Sequence, residues 1–163
     1  MHNGCRNGKL KPRKSKLRIS TALLAIGLAW TSAAAIAAEF RTIGVSGTIL
    51  YDGPSTRANK MFVATANYPV EVISADGTWV RVRDFAGDLA WVERKALADR
   101  QAVLVIVPTV EARLQPDDRS ASAFQAANGV VLDVVDANSP GWIRVRHRDG
   151  STGFVRLREI WGH

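Results

Sequence analysis

The stretch WVRVRDFAGDLAWV at residues 79–92 decides the fold, because it recurs as WIRVRHRDGSTGFV at residues 142–155. At residues 79–83 and 142–146, aliphatic residues alternate strictly with tryptophan and arginine, which is the two-residue period of a β-strand with one buried face. Val80 and Val82 then face the core of the first copy, and Trp79 faces away from it. A glycine-containing turn leads from this strand into a second short one. The stretch therefore predicts a β-hairpin that occurs twice, 63 residues apart.

The repeat extends beyond this hairpin over nearly all of the chain that follows the N-terminal segment. PVEVI at residues 69–73 aligns with VLDVV at residues 131–135, and PSTR at residues 54–57 aligns with PDDR at residues 116–119. Aliphatic residues alternate in the first of these pairs and supply a further row toward each core. A helical turn is expected only near residues 94–97. The sequence therefore predicts an all-β protein of two tandem units of about 60 residues each.

The predicted units occupy residues 39–98 and 102–163, with a short polar connection between them. We expect the units to touch, because so short a linker leaves them little freedom to move apart. The apolar run at residues 102–107 would be an aggregation hazard if it were exposed. We therefore expect this run to form a covered strand that opens the second unit.

The N-terminal 38 residues have the composition of an export signal. Residues 1–18 contain seven lysines and arginines and no acidic residue, and residues 19–38 contain no charged residue at all. Ala35 and Ala37 form the small-residue pattern that signal peptidase cleaves, just before Glu39. We interpret this segment as a signal peptide with a helical apolar part, which directs the protein to the periplasm or outside the cell. The alternative is an uncleaved segment that anchors the protein in the membrane.

The excess positive charge of the chain lies in that N-terminal segment. Subtracting its seven basic residues from the 22 in the chain leaves 15, which equals the number of aspartates and glutamates, all of them beyond residue 38. The predicted mature protein is therefore formally neutral, and its charge gives no reason to expect a nucleic acid as partner. A membrane contact is expected only through an uncleaved signal segment.

Both units resemble the bacterial SH3-like (SH3b) domains that follow a signal peptide in many envelope proteins. The family pattern opens with apolar-x-apolar-Arg-x-x-Pro and closes with Trp-x-x-Val and Gly-x-x-Gly-Trp-Val. The second unit matches this pattern at Val110, Ala112, Arg113, Pro116, Trp142, Val145, Gly150, Gly153 and Val155. The first unit matches it at Leu50, Pro54, Trp79, Val82, Gly87, Trp91 and Val92. The chain departs from the pattern with Tyr51 for arginine, Ala90 for glycine and Phe154 for tryptophan. The resemblance implies two tandem SH3-like barrels.

Proteins of this family are known for noncatalytic binding, so the resemblance implies peptidoglycan or an envelope peptide or protein as the partner. The ligand-binding residues expected here are Trp79, Tyr51, Tyr68, Trp91 and Trp142. Trp79 is expected at the centre, with the two tyrosines as neighbours, because the first unit has aromatic residues with polar groups where the second does not. The alternative is that a loop or the other unit covers these outward aromatic residues. A second functional hypothesis is a structural or signalling ectodomain that is anchored in the membrane by an uncleaved segment at residues 19–38 and acts through protein contacts.

The sequence predicts no enzyme, no cofactor and no metal site. Cys5 is the only cysteine and lies in the predicted signal, so signal cleavage would exclude the cysteine hydrolases often fused to these domains. His147 and His163 have no clustered metal-ligating residues near them in sequence, and we expect both to be solvated surface groups. The adjacent Asp117 and Asp118 are interpreted as part of a polar turn rather than as a catalytic pair.

Overall fold

The computed structural model describes residues 38–163, which form two seven-stranded antiparallel sheets. The segment predicted to be a signal peptide lies outside the described residues, apart from Ala38 at its end. Within the described residues, no helix has both the length and the apolar character needed to cross a membrane. The all-β architecture and the two tandem SH3-like barrels predicted from the sequence are confirmed.

Each sheet uses seven consecutive strands of the chain. The first contains β1 (Glu39–Ile43), β2 (Thr48–Tyr51), β3 (Lys60–Ala64), β4 (Pro69–Asp76), β5 (Trp79–Arg83), β6 (Leu89–Glu93) and β7 (Leu97–Ala98). The second contains β8 (Ala102–Val105), β9 (Thr109–Arg113), β10 (Ser122–Ala127), β11 (Val131–Ser139), β12 (Trp142–Arg146), β13 (Thr152–Arg156) and β14 (Ile160–Trp161). A single 3-10 turn precedes the last strand of each sheet, at Arg94–Ala96 and Leu157–Glu159.

The strands lie in the same spatial order in both sheets. The first sheet has the order β3-β2-β6-β5-β4-β1-β7, and the second has the matching order β10-β9-β13-β12-β11-β8-β14. Both sheets also bend at the same place, because a β-bulge follows Val72 in β4 and the aligned Val134 in β11. A bulge increases the local bend and twist of a strand, which helps a sheet to curl around a small core.

Each barrel has its own aliphatic core, formed by the alternation seen in the sequence. Val80 and Val82 are at most 2% exposed, and so are the aligned Ile143 and Val145. The first core consists of Ile43, Leu50, Ala64, Val70, Val80, Val82, Ala90 and Val92. The second consists of Val103, Val105, Val110, Ala112, Ala126, Leu132, Ile143, Val145, Val155 and Ile160. The predicted hairpin turns are present and depend on glycine, since φ is +92° at Gly87 and +94° at Gly150.

Strand β8 is buried on both faces, as we expected of this apolar run. Val103 and Val105 point into the second core, while Ala102 and Leu104 lie on the opposite face of the strand and are no more than 5% exposed. Strand β4 of the first barrel packs against β8. The strand thereby serves both the second core and the junction between the barrels.

The barrels are in contact through an aromatic cluster at this junction. The ring of Trp161, from the last strand of the second barrel, lies 5.2 Å from Phe40 and 6.1 Å from Phe85, both edge-on and both in the first barrel. The linker is held as well, because the buried hydroxyl of Thr42 donates a hydrogen bond of 3.0 Å to the carbonyl of Arg100. These contacts agree with the expectation that a short linker keeps the units together.

Candidate functional site

Three of the residues expected to bind a ligand lie together on the outer surface of the first barrel. Tyr51, Trp79 and Trp91 come from the neighbouring strands β2, β5 and β6, and each is partly exposed. Tyr51 is directly opposite Trp91 in the ladder between β2 and β6. The rings of Tyr51 and Trp79 meet edge to face, with their centroids 5.5 Å apart and their planes at 88°. We call these three side chains the aromatic face.

The aromatic face points outward because the residues next to it in sequence fill the core. Leu50, Ala90 and Val92 are at most 1% exposed, and successive residues of a strand point to opposite sides of the sheet. Tyr51 follows the first of these residues, and Trp91 lies between the other two. The alternation that builds the core therefore also brings the aromatic residues to one surface.

Charged side chains surround the aromatic face. Arg81 is the cross-strand partner of Trp91, Lys60 is the partner of Tyr51, and Glu93 is the partner of Trp79. The carboxylate of Glu93 lies 2.9 Å from the ammonium group of Lys95. Flat apolar rings are thus bordered by hydrogen-bond donors and one acceptor. Such a surface suits a ligand that has both apolar and polar groups.

Tyr68, the fourth expected residue of the first barrel, is not part of the aromatic face. It packs against the first core, beside Asp84 at the far end of β5. Five residues of a strand separate Asp84 from Trp79, a distance of about 16 Å. The pKa of Tyr68 is raised, mainly by burial and also by the Asp84 carboxylate, with a smaller opposing effect of a hydrogen bond to the Phe85 backbone. Tyr68 and Trp79 therefore cannot contact the same small group of a ligand.

Trp142, the residue of the second barrel that was expected to bind a ligand, is covered by other side chains. It points away from the core, as the sequence predicts, but it is only 8% exposed. The guanidinium carbon of Arg156 lies 4.5 Å from the centre of its ring, a cation–π contact. Arg156 is held in place by Asp118, which accepts two hydrogen bonds from it, one of them 2.8 Å long from Nε. Asp118 thus has a role beyond the polar turn that we predicted for it.

Within residues 38–163, no group of three or more histidine, cysteine, aspartate or glutamate side chains is placed to hold a metal ion. His147 is less solvated than expected, because its ring packs 5.6 Å from that of Phe124 and its Nδ1 atom lies 3.1 Å from Asp149 Oδ2. His163 is at the junction between the barrels, where burial lowers its pKa.

Three residues at the junction between the barrels were missed by the sequence reasoning. They are Asn67, Arg146 and Trp161, which all take part in contacts or in a groove between the two barrels. The alignment of the two copies contains a signal for two of them. Asn67 aligns with Gly129, and Trp161 aligns with Ala98, so each position differs in type between the copies. A residue that breaks the repeat points to a role that only one copy has.

The chain can be compared with curated proteins and with solved structures. No curated protein matches the chain. Among solved structures, it is similar to NlpC2 from Trichomonas vaginalis, with 14% identity and a TM-score of 0.36 over 76% of this chain and 48% of that one. It is also similar to an NlpC/P60 family protein from Bacillus cereus, with 16% identity and a TM-score of 0.35 over 76% of this chain and 56% of that one. The chain therefore spans about half the length of these proteins.

Two families match the chain directly, and both are described as bacterial SH3 domains. One matches residues 46–98, which include the aromatic face, and the other matches residues 107–162. The two matched segments fall on the first and the second sheet respectively. The chain therefore belongs to the bacterial SH3 domain proteins, with two of these domains in tandem.

Proposed function

We propose that this protein is a noncatalytic binding module of the bacterial cell envelope, and that the aromatic face of its first barrel holds a peptide or glycan-peptide ligand such as peptidoglycan. Bacterial SH3 domains typically bind cell-wall material, and both barrels of the chain are domains of this kind. The observation that carries the proposal is the partly exposed pair of Tyr51 and Trp79 beside Trp91. The aligned Trp142 of the second barrel is covered by Arg156.

The chemistry of the aromatic face supports this class of ligand. Tyrosine and tryptophan offer large, rigid contact areas at a low cost in conformational entropy, and each keeps one polar group for a hydrogen bond. Their faces can stack on the apolar side of a sugar ring or on a peptide plane. Arg81 and Lys60, at the border of the aromatic face, can bind the carboxylates that peptidoglycan peptides carry.

The composition of residues 1–38 supports export as part of the same proposal, since a basic segment followed by an apolar one is typical of a signal peptide. N-terminal sequencing of the protein from a periplasmic or culture fraction tests this. A start near Ala38 or Glu39 is the expected result. A start at Met1 in a membrane fraction would favour the alternative of an anchored ectodomain.

A binding assay with purified peptidoglycan sacculi tests the role of the aromatic face. The wild-type protein should sediment with the sacculi at low salt, and Trp79→Ala and Trp91→Ala should remain in the supernatant. Phe154→Ala is the matched control, because Phe154 aligns with Trp91 and is also partly exposed, but lies on the second barrel. This control should sediment like the wild type. Circular dichroism establishes that each variant is folded.

Two outcomes of this assay would contradict the proposal. The first is that the wild-type protein does not sediment with sacculi at low salt. The second is that binding is lost in Phe154→Ala but kept in Trp79→Ala, with both proteins folded, which would move the site to the second barrel.

A further inference from the structure

A separate groove of about 550 Å³ lies between the two barrels. On one side it is lined by the loop that joins β3 to β4, with Thr65 and Asn67. On the other side it is lined by Asp133 from β11 and by Arg146 and Arg148 at the end of β12. Ligand sites occur preferentially at the interfaces between domains, where two surfaces can supply convergent polar groups.

Arg146 lines this groove and makes no ion pair with an acidic side chain of the described residues. Among residues 38–163, Arg146 and Arg148 have no acidic side chain within ion-pair distance. The aligned Arg83 of the first barrel differs, because it makes hydrogen bonds of 2.9 and 2.6 Å to Glu71 on the neighbouring strand. The two unpaired guanidinium groups of the groove are therefore available for an anion.

The pairing is lost because Asp133 has other neighbours. Asp133 is the cross-strand partner of Arg146, as Glu71 is of Arg83, but its side chain is one methylene shorter. Its Oδ1 atom lies 3.5 Å from Asn67 Nδ2 and 4.0 Å from the guanidinium group of Arg100. A distance of 3.5 Å is long for a hydrogen bond, so a ligand can compete for both groups.

Asn67 has an unusual backbone conformation at this place. With a φ of +66°, it is the only non-glycine residue of the described chain in the left-handed region, and the aligned residue is Gly129 with a φ of +80°. Asparagine adopts this conformation at some steric cost, and residues kept in such a conformation are concentrated at functional sites. The amide that glycine lacks is the group that faces Asp133.

We propose that the groove between the barrels binds the free carboxylate end of a short peptide, with Arg146 and Arg148 holding the carboxylate and Asn67 and Asp133 bonding the peptide backbone. Arginine binds carboxylates through charge-assisted, often bidentate hydrogen bonds. The amide of Asn67 and the carboxylate of Asp133 add a donor and an acceptor, which match the C=O and N–H groups of a peptide. A bare inorganic anion would use the arginines alone.

The junction described above holds the two barrels that form the groove against each other. Trp161 packs against Phe40 and Phe85, and Gly162 leaves no room for a side chain, since a Cβ atom there would lie 2.9 Å from that of Pro69. A site that needs no rearrangement loses less affinity to the cost of ordering its groups. The groove shares no residue with the aromatic face, so the two proposals stand or fall separately.

Backbone chemical shifts of the full-length protein, measured by NMR, test the proposal. The probes are N-acetylated trialanine with a free carboxyl group, the same peptide with an amidated carboxyl group, and inorganic phosphate. The free acid should shift the resonances of residues 65–67, 131–133 and 146–148, with an affinity at least about tenfold above that of the amide. Phosphate should shift only the arginine side of the groove.

Two variants and a control sharpen this test. Arg146→Gln should weaken binding of the free acid about tenfold, because a charged hydrogen-bond donor is lost. Asn67→Gly should also weaken binding while preserving the fold, since glycine occupies the aligned position of the second barrel. Arg158→Gln removes the same charge from an exposed position outside the groove and should bind like the wild type.

Several results would overturn the proposal. Equal binding of the acid and the amide would exclude recognition of the carboxylate. The same shifts with phosphate as with the peptide would indicate a simple anion site. Shifts confined to the aromatic face would support the function proposed above and exclude the groove, and equal weakening by Arg146→Gln and Arg158→Gln would indicate a nonspecific effect of charge.

Discussion

In the second barrel, Arg156 lies over Trp142 and Asp118 holds it there, whereas in the first barrel the aligned Trp79 has Glu93 as its cross-strand neighbour. A carboxylate cannot make the cation–π contact that an arginine makes. Trp79 instead meets the edge of a tyrosine ring and stays partly exposed. The same outward tryptophan is thus part of the packed structure in one copy and part of the accessible surface in the other.

This difference depends on few substitutions. Glu93 aligns with Arg156, and Thr56 aligns with Asp118, so the first barrel lacks both the arginine and the carboxylate that holds it. The cores and the strand orders of the barrels match, so these surface positions do not affect the fold. A duplicated domain can therefore close this surface in one copy and leave its aromatic residues accessible in the other.

The largest expected effect concerns the aliphatic core that each barrel builds in the same way. Val82→Asp and Val145→Asp should each cost more than about 4 kcal/mol and unfold the barrel that carries the change, because each places an unpaired charge in a small core. Arg81→Ser and Arg144→Ser, on the opposite side of the same strands, should cost less than about 1 kcal/mol. Urea unfolding followed by circular dichroism measures both. Equal destabilisation by the two kinds of change would mean that the faces are assigned the wrong way round.

The next largest effect is a loss of stability that should differ between the two barrels. Trp142→Ala should cost about 3–4 kcal/mol, because it removes a nearly buried ring, while Trp79→Ala should cost about 1–2 kcal/mol because that ring is already partly in water. The free energies of unfolding from urea titrations give both values. If the two variants lost equal stability, the cover provided by Arg156 would have little energetic value.

Moving the residues that cover Trp142 to the aligned positions of the first barrel tests why Trp79 is exposed. The double variant Thr56→Asp with Glu93→Arg gives the first barrel the pair of residues that closes Trp142 in the second. We expect a gain of about 0.5–1 kcal/mol in stability from the new cation–π contact, and weaker retention on peptidoglycan sacculi. Glu93→Gln alone is the control, since it removes the charge without adding a cover. Unchanged retention in the double variant would show that the exposed face of Trp79 does not take part in binding.

The smallest expected effect is a change in the stability of the fold with pH. The pKa of Tyr68 is raised by burial and by Asp84, so the folded protein favours the neutral phenol. Above its ordinary pKa of 10.0 the tyrosine of the unfolded chain ionises first, and the stability of the fold falls as the pH rises through the raised pKa. Urea midpoints at about pH 9 and about pH 11 should therefore differ more for the wild type than for Tyr68→Phe. The same loss in both proteins would assign it to other groups.

The sequence was sufficient for the fold because the fold rests on local alternation and on a repeat. Val80 and Val82 lie between outward residues in a pattern that only a half-buried strand explains, and the second copy repeats it. The sequence also predicted that Tyr51, Trp79 and Trp91 face outward, although their role in binding stays a prediction. It could not show that Tyr68 lies at the other end of the barrel, because that depends on how the loop before β4 folds back on the core.

Local sequence patterns could not predict the contacts at the junction between the barrels. The contact between Asn67 and Asp133 joins residues 66 positions apart, and nothing in their local sequence indicates that they meet. The closure of Trp142 is of the same kind, since Asp118 and Arg156 are 38 positions apart. Such long-range polar pairs depend on the exact placement of two elements, whereas core positions depend only on which face of a strand is covered.

The complete burial of β8 has a consequence for biosynthesis. The ribosome makes the first barrel before residues 102–105 appear, and domains generally fold as units in the order of their synthesis. The first barrel precedes β8 in the chain, so its surface at β4 can be present when the face with Ala102 and Leu104 forms. A second barrel produced without the first would leave the face with Ala102 and Leu104 exposed, which favours aggregation.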